Sequence, residues 1–384
     1  MKILHSVLTM GENSGGTTHA VSSLVRGLNQ AGCSADVLSL DTSSRGEKVI
    51  GKQEQGFYGV PYDARTPWCY SKNIRCFLKS HDEYDIYHAN AIWSDVPHAT
   101  ALYARRHRKP YIISLHGGIG ANALLHNPWR KRIMLRLVLN KDLHMAACVH
   151  ATSKQEADAY RALGFTNNVA LIGNPVPIPD YLDTLPRQQS RFRLGYLGRI
   201  HPLKKIDHLI RAWASAGHAV REGELCIIGG GDEAYTAMLH ELVKQLGLAN
   251  VRFTGFLSGK RKFEELAALS GLFQPRDSEN IGLVVAEALL AGTPVIASRH
   301  TPWQSLETER CGYWTDNTVD GLSHAISACA DKNAEELSAM GRRGRTFIER
   351  EYHSSIIADR MITLYQYITC LLYTSDAADD LTRV

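Results

Sequence analysis

Residues 174–205 read NPVPIPDYLDTLPRQQSRFRLGYLGRIHPLKK, and what lies on either side of this stretch decides the fold. Pro175, Pro177 and Pro179 fall within seven positions. Their rings fix the backbone and remove three amide donors, so Asn174–Asp180 and the polar residues to about Arg191 make a linker. Phe192–Gly198 then starts a short apolar run that ends in glycine and is followed by cations, the signature of a buried strand with a polar exit.

The same alternation runs outward in both directions. Upstream, Lys2–Leu8, Ala35–Leu40, Ile86–Ala89, Tyr111–Leu115, Val149–Ala151 and Val169–Ile172 are apolar runs, with a helical pattern over Thr18–Gln30 between the first two. Downstream, Glu224–Ile228, Val251–Thr254, Gly271–Gln274 and Pro294–Ala297 alternate with helical patterns over Asp207–Ala216, Glu233–Leu246 and Leu283–Ala291. Helical patterns continue from Val319 to about Thr369. Short strands apolar on both faces and joined by helices build a parallel sheet covered on both sides. The expected fold class is α/β, with two Rossmann-like, doubly wound domains facing each other across a cleft. The expected boundaries are 1–180 for the first domain, 181–352 for the second, and a helix over 353–369 returning to the first. Residues 370–384, CLLYTSDAADDLTRV, read like a translated sequencing-library adapter and are taken as non-native.

Composition narrows the function. Of 384 residues, 44% are hydrophobic and 21% charged, enough apolar material for two cores. The net charge of +4 is too small to argue for nucleic acid. The basic residues cluster, however, as Arg105, Arg106, Arg108 and Lys109, and as Arg130, Lys131, Arg132, Arg136 and Lys141. Such clusters are either solvated helix faces or surfaces for anionic lipid headgroups or a phosphorylated acceptor. The eight cysteines form no CxxC pair, which fits a reducing cytoplasm and gives no metal or redox motif. No run of about 18 apolar residues occurs. The expected location is the cytoplasm, with peripheral attachment to the cytoplasmic face of the inner membrane as a further option.

Ligands of doubly wound sheets bind beyond the carboxyl ends of the strands, so the chemistry is sought there. After the first strand come Gly15 and Gly16, entering a helix. They make either a tight turn or a place for a phosphate against a helix N-terminus. His116 follows Tyr111–Leu115 and stands before two glycines, placed for acid/base work, for binding a sugar hydroxyl, or for a structural hydrogen bond. Gly198, Arg199 and Lys204 follow the strand at Phe192. A guanidinium fork and a compact ammonium within five positions suit a diphosphate leaving group. Residues 277–287, DSENIGLVVAE, place Glu279 before a glycine turn and Glu287 one turn into an apolar helix. Asn280, Ile281, Gly282 and Leu283 lie between them, with backbone N–H groups able to face an anion. Glu287 in such apolar company requires a partner.

Taken together, Ser14–Gly16, Leu115–Gly117, Gly198–Lys205, Gly229–Gly231 and Glu279 with Glu287 running into EALLAGTPVIAS resemble glycosyltransferase family 4 across almost all of residues 1–369. Residues 146–175 resemble its polysaccharide and lipopolysaccharide branch. The resemblance implies a GT-B fold, with an acceptor-side first domain and a nucleotide-sugar donor domain second. It implies a retaining transfer from a nucleotide-diphosphate-sugar to a glycan or lipid-linked acceptor, without a metal or other cofactor. It also implies roles: Gly16 for the donor phosphates, His116 at the transferred sugar, Arg199 and Lys204 for the leaving diphosphate, Glu279 for the donor sugar and Glu287 for the ribose. Gly15, Gly198, Asn280, Ile281, Gly282 and Leu283 would complete the donor site. Two departures stand out. Lys205 occupies a position where the family commonly has glycine, and Glu279-Asn280-Ile281-Gly282 replaces a frequent Glu-Gly-Phe-Gly.

The residues agree with a metal-free transfer, since no DxD motif stands in a metal-binding setting and two cations take the metal's place. Glu279 and Glu287 share one loop and helix, which argues against a glycosidase pair. Competing readings are a nucleotide-sugar enzyme that does not transfer, such as an epimerase, and a silent binding partner on the same fold. A dinucleotide site is disfavoured, because Gly229-Gly230-Gly231-Asp232 lacks the GxGxxG spacing. Tyr58–Ser71 and Gly118–Trp129 are the candidate acceptor-reading stretches.

Overall fold

The computed structural model describes all residues except 65, 126, 186–190, 218–221, 277–281 and 382–384; side chains of 13, 121, 122 and 371–381 are also outside the description. The chain divides into two compact units, Met1–Pro175 with Tyr352–Val384, and Val176–Glu351.

The first unit carries seven strands: β1 Lys2–Thr9, β2 Ser34–Asp41, β3 Phe57–Pro61, β4 Ile86–Asn90, β5 Tyr111–Ser114, β6 Cys148–Ala151 and β7 Val169–Leu171. They pair in the order β3-β2-β1-β4-β5-β6-β7, all parallel. Period-two alternation assigns neighbouring residues to opposite faces. Leu4, Leu38, Tyr87, Ile113 and Val149 enter one core. Ile3, Val37, Ile86, Ile112 and Cys148 enter the other. That second face is closed by the C-terminal helix Ser354–Leu381, which contributes Ile357, Ala358, Met361, Tyr365 and Ile368.

The second unit repeats the plan with six strands: β8 Arg193–Leu197, β9 Glu224–Ile228, β10 Val251–Gly255, β11 Gly271–Gln274, β12 Val295–Ser298 and β13 Gly312–Thr315. Their order is β10-β9-β8-β11-β12-β13, again wholly parallel. Leu194, Tyr196, Trp213, Leu225, Ile227 and Phe273 anchor its core. The strand order reverses between β1 and β4 in the first sheet and between β8 and β11 in the second. Crevices for ligands open at such reversals.

Two strands have no counterpart in the sequence reading, β3 and β13. Both are edge strands and only half-buried, so neither shows a continuous apolar run. Pro61 is tolerated in β3 because an edge leaves one row of donors unpaired.

The C-terminal helix lies close against the Gly16–Gln30 helix. A side-chain carbon at Gly27 would stand 2.9 Å from the Ser354 carbonyl oxygen and 3.3 Å from the Ala358 methyl. Gly27→Val should therefore wedge the two helices apart and lower stability by about 1–3 kcal/mol. Chemical denaturation of the two proteins checks this; an unchanged midpoint would mean that the contact is not tight.

Candidate active site

In the second unit the site is built on backbone contact. The exits of β8 and β9 run against each other: Gly198 N donates to Ile228 O at 3.0 Å and Ile200 N to Gly230 O at 2.9 Å. A side chain at Gly229 would sit 1.9 Å from Gly198 O, and Gly229 itself has φ +143°. Glycine is required on both counts, and the result is a fixed loop over Gly198–Lys205.

Three cations gather on that loop. Arg199 stands on it and Lys204 ends the turn Pro202–Lys204. Arg276 was not singled out from sequence. It follows β11, the neighbour of β8 at the strand reversal, and is buried. Its guanidinium comes within 3.0 Å of where a Gly198 side chain would start. Burial, with Arg276 and Arg199 as like charges beside it, lowers the Lys204 ammonium to about 8. Burial also lowers Arg276.

Beside these cations opens a cavity of about 410 Å³, lined by Gly198, Arg199, Gly229, Phe256, Lys262 and Glu287 among others. Glu287 has the partner its setting demanded, Lys262 at 2.7 Å. Phe256 lies just past β10 with 80% of its surface exposed, a free aromatic face at the cavity. Gly282 adopts a left-handed conformation (φ +64°, ψ +70°) and starts the Leu283–Leu290 helix with no side chain capping it. Within that first turn Val285 N donates back to Gly282 O at 2.8 Å. Glu279, Asn280 and Ile281 lie outside the described residues. Phe256, Lys262 and Arg276 were missed because each is an ordinary residue until the fold brings its strand end to this place.

The first unit carries the other predicted residues at its own strand ends. Gly15 takes φ +99° and Gly16 begins the Gly16–Gln30 helix; side chains at either would meet nothing within 4 Å. His116 lies beyond β5, one strand removed from β4 and two from β1. It has φ +47°, a conformation that L residues avoid. Its ring is buried, which lowers its pKa to about 3 and keeps it neutral, with His150 and His5 adding to the effect. Nε2 contacts Asn90 Oδ1 at 3.1 Å. Nδ1 has no hydrogen-bond partner among the described residues. Glu156, also missed from sequence, holds the loop by accepting from Gly117 N, while Thr152 N and Oγ1 donate to its other oxygen at 2.7 and 2.9 Å.

Comparison with known proteins identifies the family. Residues 179–347 match the model for glycosyl transferases group 1, and residues 15–175 match the glycosyl transferase 4-like domain. The chain belongs to glycosyltransferase family 4. A GDP-mannose-dependent monoacylated alpha-(1-6)-phosphatidylinositol monomannoside mannosyltransferase of Corynebacterium glutamicum is 30% identical over 176 residues, 44% of this chain and 45% of that protein. A D-inositol 3-phosphate glycosyltransferase of Streptomyces bingchenggensis is 29% identical over 236 residues, 56% of this chain and 51% of that protein. The family 4 chain is thus matched over about half the length of these curated relatives. Among solved structures, sucrose-phosphate synthase from Thermosynechococcus elongatus superposes with a TM-score of 0.75 at 22% identity, over 97% of this chain and 100% of that one. Anabaena Alr3699/HepE in complex with UDP gives 0.76 at 20% identity, over 96% and 100%. The family 4 chain therefore has the GT-B fold, with its two Rossmann-like parallel-sheet units.

The Lys204 value generates a test. A bound diphosphate favours protonated Lys204 and raises its pKa above 8. Above pH 8 the free protein must then take up a proton to bind. Affinity for GDP or UDP should be level near pH 7 and weaken as pH rises through 8 to 9.5. Lys204→Arg should flatten that profile. Calorimetric titration at several pH values decides it, and a flat wild-type profile would contradict the assignment.

Proposed function

We propose that this family 4 chain transfers a sugar, with retention, from a nucleotide-diphosphate-sugar to a hydroxyl of a glycan or lipid-linked acceptor. The observation that carries the proposal is the crowding of Arg199, Lys204 and Arg276 around the glycine-walled exit of β8. A diphosphate leaving group gains negative charge as the glycosidic bond breaks, and preorganised cations stabilise that charge more than the ground state. These side chains would take the role that a divalent ion plays elsewhere, so the reaction should need none. Glu287, held by Lys262, offers carboxylate oxygen to ribose hydroxyls, and the exposed Phe256 face suits a flat base. Front-face attack by the acceptor would give retention without a carboxylate nucleophile. Relatives named as GDP-mannose-dependent put GDP-mannose first in a donor panel.

A second surface bears on the acceptor. Leu125, Trp129, Ile133 and Leu137 recur every four residues and are 48–74% exposed. Trp129, Ile133 and Leu137 share one face of the continuous helical run 128–139, and Leu125 ends the short helix before it. Arg130, Arg132 and Arg136 are exposed beside them. An apolar stripe flanked by cations matches the interface of an anionic bilayer, where a lipid-linked acceptor or a cell-surface polysaccharide or lipopolysaccharide precursor would be met. The other basic group is partly structural: Arg105 pairs with buried Asp142 at 2.6 Å. Among the described residues, no helix is long and apolar enough to cross a membrane.

A donor panel read by diphosphate release, with and without acceptor, tests the reaction. Lys204→Ala, Arg276→Ala and Glu279→Ala should each reduce turnover at least 100-fold, the scale of losing a preorganised charge partner, while circular dichroism stays native. Activity should survive EDTA; a strict Mg²⁺ requirement would overturn the metal-free reading. Separately, the chain should co-sediment with phosphatidylglycerol vesicles, weakly with phosphatidylcholine vesicles, and less after Trp129→Ser with Leu137→Ser. Equal binding to both vesicle types would refute the charged-interface reading.

A further inference from the structure

The second unit holds another cavity, at the opposite end of its sheet. It measures about 490 Å³ and is lined by Glu307, Arg310, Gly312, Tyr313, Met340 and Arg343 among others. Gly312 opens β13 and is paired with Val295, which opens β12. The cavity therefore lies where these strands begin, whereas Gly198, Gly229 and Phe256 stand where β8, β9 and β10 end. The substrate crevice of a doubly wound sheet is at the carboxyl ends of its strands, so a molecule held at the amino ends is a different one.

Two guanidinium groups meet here with no carboxylate between them. Arg343, on the helix Ala334–Tyr352, donates through Nε to the Arg310 carbonyl at 2.9 Å. That bond orients the fork and leaves its terminal nitrogens without a partner among the described residues. The exposed Arg310 side chain has none there either. Further along the same helix the arginines are committed: Arg345 to Asp183 and Glu349, both at 2.8 Å, and Arg350 to Glu309 at 2.8 Å and Glu351 at 3.0 Å. Of the lining carboxylates, Glu336 is also committed, with one oxygen accepting from Asn333 N at 2.9 Å and the other 3.5 Å from Lys332. Glu307 is exposed and has no partner among the described residues. Two uncommitted cations against one uncommitted carboxylate leave the cavity net positive.

Arg310 also stands in a conformation that favours glycine, at φ +51°. It follows the helix Ser305–Thr308, with its N–H on Glu307 O at 3.1 Å and the Cys311 N–H on Leu306 O at 2.9 Å. Glycine is the usual residue at such a helix end. An arginine there keeps a strain that glycine would remove, and what it supplies in return is a cation beside the Arg343 fork. The rest of the lining is apolar. Tyr313 donates its hydroxyl to Ala328 O at 3.1 Å, so what it offers the cavity is ring carbon, and Ala339 and Met340 stand beside it.

We propose that this cavity is a second ligand site, for a small organic anion whose phosphate or carboxylate lies between Arg310 and Arg343 and whose apolar body rests on Tyr313, Ala339 and Met340. Guanidinium forks match an oxyanion with two free oxygens, which a halide cannot imitate. The site shares no residue with the cavity at the strand exits and does not depend on the donor assignment.

Calorimetric titration at pH 7 of the full chain carrying Lys204→Ala and Arg276→Ala tests it, because that background silences the cations at the exits of β8 and β11. Phenyl phosphate and benzoate are the probes, and inorganic phosphate is the control without an apolar body. The tighter of the two aromatic anions names the charged group, and it should bind more tightly than inorganic phosphate. Adding Arg310→Gly should raise the denaturation midpoint, since the strain is gone, and still weaken binding about 10-fold or more, since a charge-assisted partner is gone. Arg343→Met should weaken it by a similar factor, and Glu307→Gln should strengthen it. Should the background not fold, the same changes are read in wild-type protein, where Arg310→Gly should remove one of two anion sites. No saturable binding of either aromatic anion would overturn the proposal, and so would binding that Arg310→Gly and Arg343→Met leave unchanged.

Discussion

The convergence of Arg199, Lys204 and Arg276 on the exit of β8 is what the backbone of the second unit is built to hold. The opposite edge of the same sheet shows the contrast. There Arg193 reaches Glu224 and Glu265, both at 2.8 Å, and Arg252 pairs with the same two carboxylates. Charge is paired where β8, β9 and β10 begin, and Arg199, Lys204 and Arg276 converge where β8 and β11 end. The crowding is held by parts that do not depend on a ligand: the Gly198–Gly229 backbone contact, the buried Tyr196 whose hydroxyl donates to Arg199 O at 3.1 Å, and Gln274 donating to Leu197 O at 3.1 Å.

The first unit uses its strand ends differently. Its sheet is apolar along the lower rungs, with Ile3, Ile86, Ile112 and Cys148 facing the C-terminal helix. Two positions further along those strands stand His5, His88, Ser114 and His150, all buried. Period two keeps them on the face that the helix covers, so a polar layer lies directly above an apolar one. Buried polar groups are tolerated only when each finds a partner, and a chain of neutral imidazoles and hydroxyls meets that condition without any net charge.

Sequence alone revealed the central strands because burial on both faces writes a continuous apolar run. It failed for β3 and β13, whose half-buried edge positions carry glycine, proline and aromatic residues in no such run. Arg199 and Lys204 were legible because glycine and cations follow a strand within a few positions. Arg276 was not, since its meaning comes from β11 lying beside β8, which no local pattern encodes. The need of Glu287 for a partner could be read from its apolar neighbours, but Lys262 could be named only once the helices were placed. The hydrogen bonds that link His150, Ser114, His88, Tyr365 and His5 draw on β1, β4, β5, β6 and the C-terminal helix, so they were invisible until the register was known.

Backbone strain marks the same places. Ala91 (φ +68°) directly follows β4, His116 (φ +47°) lies just past β5, and Lys205 (φ +52°) ends the turn after β8. A left-handed conformation costs an L residue about 1–2 kcal/mol, and glycine would remove that cost. Lys205 is therefore a telling departure, because the family's usual glycine is the residue that this backbone conformation favours. His116 is in the same position: a glycine there would relieve the strain, yet only a side chain can pair with Asn90 Oδ1. Both loops hold a strained residue where two sheets with extensive cores can bear the cost, and both do so at strand exits, where a bound molecule would be met.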